Sequence, residues 1–600
     1  MADNESFEKE NNKNIHHHHQ HEDGTQHTSN PTHVELKHLN ENYDAHLDTI
    51  LPEQLHRGDI HSVNRFLGYH DAMMATCGTF LVLPLRNLNK MVTDEDLKHG
   101  GHDLPHDPIH ANTLAEYLDA MKLEIIMFFL GFLIVCTMWE TNNIRTIVMK
   151  RFDDFMILLG ILQMFATVVF PFSMTLQGHY PEETITIILT AATLIFINIL
   201  ELIMTVYAFS CPRLLHLALA SWDKSLRRRF MITMCIKPVF DILLIAVASA
   251  FTLLDYRVTW FLLIFLVLWP LVRKLIFYLR RRIVHESKQE KCRFFWYFTK
   301  GQISKERVEA FTDAAVAIIA CVLILDITVE EFPTFEKVKK DGLLSVLDHM
   351  KLEFITFFGT YLGVSLLWYV NHTVLHLFHT IDCIGLYLQK IFLAFLCMAP
   401  LMNNMLTKFG SQEATQDTKV AVLWTFGMSF AASITQFLML IWGYWNKEKM
   451  LHQWAARPSR KDSMNKNQFQ YIQLKTLTIP FWTFVGLFGY FGNGYTPLIL
   501  TLVCIVMTWL TFFIIKFIYM NHVGKEGVSN FLKLHHQVSV TEMQISKEMQ
   551  SEMNDGQVEF DTEDDFEKEV IQQNGGGDKI EKQVYVDAMK EELEEGDTGL

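Results

Sequence analysis

The chain has 600 residues, half of them hydrophobic, with a formal charge of −15 and a mean hydropathy of +0.14. Because both ends are polar, so apolar an average must gather hydrophobic residues into runs of roughly 18 to 25, long enough to cross a hydrocarbon core of about 30 Å as helices. This excludes a soluble globular protein and makes the charge a property of the ends, since Asp and Glu crowd the chain from residue 541 onward; no nucleic-acid partner is expected.

In chain order, residues 1–60 form a polar, His-rich tail containing the tract His16–His19 and no apolar stretch of secretory type, so the first span is expected to act as the targeting signal. Spans are predicted near 66–86, 117–139, 152–174, 183–210, 231–254 and 257–281. After a basic linker at 282–306 they resume near 308–330, 350–370, 380–404, 419–445, 472–491 and 495–520. The predicted fold class is all-α: a polytopic membrane protein of about twelve transmembrane helices, six over 61–281 and six over 307–520. The tail at 521–600 is acidic and expected to be largely disordered. Its last residues, Thr598-Gly599-Leu600, are of a type that adds a strand to a PDZ domain, which makes the tail a candidate docking segment for a cytosolic regulator. The nine cysteines lie in spans or beside their basic ends, and no structural disulfide is expected.

Lys and Arg favour the cytosolic side of short loops, and by count about 21 of them follow spans 2, 4, 6 and 10 against about 6 in the remaining loops. Both termini are therefore expected to be cytosolic. The sequon Asn371-His372-Thr373 then faces the cytosol and should stay unglycosylated.

The two sets of spans are copies of one unit. "MKLEIIMFF" at 121 matches "MKLEFITFF" at 350 with an offset of 229, and the same offset pairs Trp139 with Trp368, Asn142 with Asn371, Asp153 with Asp382 and Pro171 with Pro400. Upstream, "RFLGYHDAMMATCGTFLVLPL" at 65 matches "RVEAFTDAAVAIIACVLILDI" at 307. Each copy holds an even number of spans, so the copies insert in the same orientation, as parallel six-helix repeats.

Both copies open on Arg-x-x-x-aromatic-x-Asp-Ala: Arg65, Tyr69, His70 and Asp71 in copy one, and Arg307, Phe311, Thr312 and Asp313 in copy two. A carboxylate at the edge of hydrocarbon must meet a partner or a watery cavity. The plain reading is a structural lock that fixes the rotation of each first helix, because one face alone can satisfy the charges. Counting on from Asp313 at helical spacing puts Ile318, Cys321 and Leu325 on one stripe, with Thr76, Thr79 and Leu83 at the matching places in copy one. Periodicity alone reads such a stripe as packing as readily as a pore lining.

At these residues the chain resembles the transmembrane protein 175 family of endolysosomal potassium channels. The likeness lies in the Arg-x-x-x-Phe-Ser-Asp type of opening in each copy and in the Trp-bearing ends at Trp139-x-x-Asn142 and Trp368-x-x-Asn371, and it covers about 61–520. It implies a homodimer of endosomal or lysosomal membranes, with a pore surrounded by the first helix of each repeat in both subunits. Potassium ions are the implied permeant, with protons a further candidate. It also implies a hydrophobic constriction five residues after the motif aspartate, which falls on Ile318 in copy two and on Thr76 in copy one. The chain departs from the family in carrying His70 and Thr312 where the family has serine, and Asn142 and Asn371 where it has histidine. With a hydroxyl at Thr76 in place of isoleucine, a weaker dewetting barrier and a leakier pore are expected.

Other signals lead elsewhere. "GYFGNGY" at 489 looks like a carbonyl filter but lacks the preceding Thr-Val and reads as a Gly/Asn turn. His372, His376 and His379 could share a helix face, yet a solvated cluster is the commoner outcome, and no metal or cofactor is expected. No span carries Arg at every third position, so a voltage sensor is not expected. No nucleophile, base and orienting group occur together, so an enzyme is not expected. The second function class left open is a 6+6 secondary transporter of an ion or small solute.

Overall fold

The computed structural model describes residues 60–519 apart from 87, 89–90, 93–108, 150, 216–218, 220–223, 253–254, 284–302, 331, 411–414, 453–454 and 456–462. The expectations for the His-rich tail, most of the basic linker and the acidic tail lie outside the described residues.

The protein is an all-α polytopic membrane protein. Its long helices are α1 (Val63–Phe80), α2 (Lys122–Val148), α3 (Asp154–His179), α4 (Thr184–Ser210), α5 (Lys224–Phe251) and α6 (Tyr256–Ile283). They continue as α7 (Lys305–Leu325), α8 (Lys351–Leu375), α9 (Cys383–Phe409), α10 (Gln416–Trp445), α11 (Ser463–Leu487) and α12 (Thr496–Tyr519). Among the described residues nine helices are long and apolar enough to cross a membrane. The three others, α1, α6 and α11, stand at predicted positions but carry charged or polar ends: the motif in α1, Arg280–Arg282 in α6 and the Ser463–Gln468 start of α11.

Two aspartates start matching helices. Asp153 accepts from Met156 N at 3.0 Å to cap α3, and Asp382 accepts from Gly385 N at 2.8 Å to cap α9. Each also holds the fourth helix of its copy, by Tyr207 Oη donating to Asp153 Oδ2 at 2.7 Å and Trp442 Nε1 donating to Asp382 Oδ1 at 3.0 Å. Short strand pairs repeat as well: Ser62 opposes Arg151 and Ser304 opposes Thr380, so each first helix is tied at its start to the entry of the third. The matched prolines differ in effect. Pro171 lies inside an unbroken α3, whereas α9 relaxes into a turn at Cys397–Met398 and restarts with Pro400 in its first turn, where a missing N–H costs nothing.

The described parts of Met1–Pro458 and Phe469–Phe512 form one compact unit, and those of Ser459–Gln468 and Phe513–Leu600 a second. In the first unit α1 packs on α7, α1 on α2 and α3, and α7 on α8. One apolar core runs from Met74 and Trp139 through Phe311 and Ile319 to Phe392 and Met405, so both copies share it. The described cysteines are free thiols. The stretch at 489 is a short 3-10 turn, Phe488–Phe491, followed by Gly494 at φ 60, where glycine avoids the Cβ strain of the left-handed region.

Candidate pore and motif site

In copy one the motif folds inward. Trp139 Nε1 on α2 donates to Asp71 Oδ1 at 2.8 Å, and Asp71 is buried. His70, one residue earlier and also buried, contacts the Asn142 amide, whose oxygen accepts from Arg145; Arg145 Nη2 also donates to Gln163 Oε1 on α3 at 3.1 Å. Glu201 on α4 is buried as well. The centre of copy one is therefore ionic.

In copy two the same place is neutral. Thr312 is bonded to Val308 O at 2.7 Å and accepts from Gln389 Nε2 at 3.0 Å. Asn371 Nδ2 donates to Gln389 Oε1 and to Gln436 Oε1, both at 2.9 Å. The matched bonds of Tyr207 and Trp442 to the capping aspartates set Gln436 against Glu201, and the motif sets Thr312 against His70, so an amide and a hydroxyl replace a carboxylate and an imidazole. Asn371 is buried and fully engaged, so it is no glycan acceptor in the folded chain.

Arg307 does not serve its own aspartate. Its Nη1 stands 3.2 Å from Asp71 Oδ2 of copy one, and its Nε donates to Asn143 Oδ1 at 3.3 Å. One turn on, Phe311 stacks on Trp139 at 4.6 Å between ring centroids. The lock expected to fix the rotation of α7 is made with partners on other helices, and because α1 and α7 pack side by side its arginine also clasps the two copies together. Asp313 keeps the other half of the pattern, accepting from Trp368 Nε1 at 2.7 Å. The mirror half of the clasp is open. Arg65, Tyr69 and Asp313 are exposed, and among the described residues neither Arg65 nor Asp313 has an ion-pair partner.

Along the stripe, Ile318 and Leu325 are half-buried and Cys321 is exposed. Thr76 is half-buried with its hydroxyl bonded to Ala72 O at 2.8 Å. Thr79 departs from expectation: it is 1% exposed and bonded to Ala75 O and Thr76 O, each at 3.0 Å, so it faces the packed interior. Leu83 also leaves the stripe's geometry, since α1 stops at Phe80 and Leu83 begins a separate turn, Leu83–Arg86. Helical spacing cannot be counted across that break.

Several site residues escaped the sequence reading: Asn143, Arg145, Gln163, Gln389 and Gln436, and the Lys390–Glu140 ion pair, 2.6 Å long and buried, which joins α9 to α2. Each is a polar side chain in an otherwise apolar span, and that is the signal that could have found them.

Comparison with known proteins finds relatives that span both copies. The profile of the family described as "Endosomal/lysosomal potassium channel TMEM175" matches residues 65–171 and 307–400, once in each copy. Proteins named "Endosomal/lysosomal proton channel TMEM175" are similar over most of the chain. The one from Danio rerio is 26% identical over 407 residues, 67% of this chain and 74% of the relative. The one from Gallus gallus is 25% identical, covering 65% and 75%, and that from Homo sapiens 27% identical, covering 62% and 71%. The resemblance read from the motifs is the one these comparisons find, and it is to a family of channels, not of enzymes.

Proposed function

We infer from this likeness and from the α1/α7 clasp that the chain is one subunit of a homodimeric cation channel of endosomal or lysosomal membranes. The pore runs between four first-type helices, α1 and α7 of each subunit, and passes potassium ions and protons. The observation that carries the reading is that one chain closes half of a cyclic pattern. Arg307 and Phe311 of copy two meet Asp71 and Trp139 of copy one, while Arg65 and Tyr69 of copy one and Asp313 and Trp368 of copy two await the same contacts. A second copy related by twofold symmetry supplies both missing halves at once, since each subunit then offers the same pair of surfaces.

In that arrangement Ile318 and Thr76 alternate around one level of the pore, with Cys321 and Leu325 farther along α7. Thr79 is not part of the lining. Backbone carbonyls of α1 and α7 are engaged in helix hydrogen bonds, so ions meet an apolar and hydroxyl-lined throat and not a carbonyl cage, and potassium preference is modest. A ring half threonine dewets less readily than one of isoleucine alone. The excess of Lys and Arg after the even-numbered helices of copy one and α10 supports a cytosolic position for both termini.

The test is reconstitution into liposomes with potassium, sodium or proton gradients. Conductive flux of cations is expected, with Thr76→Ile lowering basal flux several-fold and Ile318→Thr raising it. Saturable uptake of an organic solute without ionic current would overturn the channel reading in favour of a transporter.

A further inference from the structure

The two copies treat one short helix differently. In copy one, Leu114–Ala120 lies against α10, its Leu114 N–H donating to Asp417 Oδ1 at 2.9 Å. Leu114 is 0% and Leu118 6% exposed. At the offset of 229 the counterpart in copy two is Leu343–His349. There Leu343 is 54% and Leu347 41% exposed, although they match Leu114 and Leu118, which are buried in copy one. Sequence drift does not explain the difference, because both positions remain leucine.

What covers the helix in copy one is the fourth helix of the other copy, so its counterpart is α4. Tyr207 and Trp442 make the same bond to the capping aspartates and therefore fix the register of α4 against α10 at an offset of 235. Counting back from that pair leads to the start of α4 at Thr184 as the counterpart of the start of α10, and in the turn before it Glu182 and Glu183 are exposed. The bare helix is also continuous with the open edge described above. Phe129 on α2 packs on Phe395 of copy two, whereas its counterpart on α8, Phe358, is exposed.

We propose that the apolar face of Leu343–His349 docks on the start of α4 of a second copy of this chain, Leu343 lying beside Glu182 of the partner subunit. This rests on the homodimer inferred above and adds to it the contact that closes the edge at the far end of the bundle from the motif. Each subunit gives one such helix and receives one, so the interface is made twice. Leu344 is not part of the buried face, because its counterpart in copy one, Ala115, is exposed there as well.

The experiment uses the full chain carrying Cys321→Ala, with two differently tagged forms, Leu343→Cys and Glu182→Cys, co-expressed and oxidised in membranes. A disulfide-linked heterodimer is expected from this pair, and at least tenfold less from Leu344→Cys with Glu182→Cys. A particle that is dimeric by light scattering yet gives no 343–182 link, or links 344 equally well, overturns the docking and leaves the dimer standing. A monomeric particle overturns both.

Discussion

Asp71 and Asp313 are the same residue in the same motif, and their surroundings make them different. Asp71 is buried between Trp139 and Arg307, and removing one partner of a buried pair leaves an uncompensated charge that costs about 3–5 kcal/mol. Arg307→Ala should therefore lower the thermal unfolding midpoint of the detergent-solubilised protein, read by tryptophan fluorescence. Adding Asp71→Asn should recover much of the loss, because the neutral amide still accepts from Trp139. No recovery would mean that Arg307 acts through its stem packing and not its charge. The motif was legible in the sequence because it occurs twice, yet its pairing was not: which aspartate Arg307 reaches depends on how α1 and α7 lie together. The same holds for His70, whose contact with Asn142 follows from neighbouring helices and not from spacing.

Among the helices, the apolar runs located the long ones of the described residues, while the offset matched Asp153 with Asp382 without showing that they cap α3 and α9. Contacts that set helix distances were not. Gly160 on α3 abuts the Phe66 ring on α1 so closely that a Cβ would sit within its van der Waals envelope. Gly160→Ala should cost about 1–3 kcal/mol as overpacking, and Phe66→Leu in the same chain should relieve part of it; additive losses in a melting experiment would sink that account. Copy two has Gln389 at the matching place and uses it to bridge Thr312 and Asn371, so one copy spends the position on close approach and the other on a polar bridge. The Lys390–Glu140 pair invites a parallel test. Glu140→Gln strands a buried ammonium and should destabilise by about 3–5 kcal/mol, whereas Glu140→Leu with Lys390→Met should be near neutral. If the double variant melts as low as the single one, the pair has a role beyond mutual neutralisation.

For the whole molecule, the two copies were legible in the sequence through the offset of 229, but the unequal use of the copies' edges is seen only once the chain is folded. That inequality yields the sharpest prediction. Arg65 and Asp313 are exposed in the single chain, so substituting either should leave the fold intact, with the loss of one exposed hydrogen bond from Trp368 where Asp313 is replaced, while altering association in the proposed dimer. Arg65→Asp would set two carboxylates against each other across the dimer, and Asp313→Arg two guanidiniums; each reversal should reduce the dimeric fraction at a given concentration. A tenfold weaker association corresponds to about 1.4 kcal/mol, a modest demand for a like-charge contact made twice. The swap carrying both substitutions restores opposite charges at both contacts and should restore the dimer and the cation flux together. The Arg307–Asp71 clasp is unchanged in all three proteins, so helix content by circular dichroism, retained in each, separates lost association from lost folding. If the single reversals leave particle mass and flux as they were, the open edge is not where two subunits meet, and the pore must be sought away from α1 and α7.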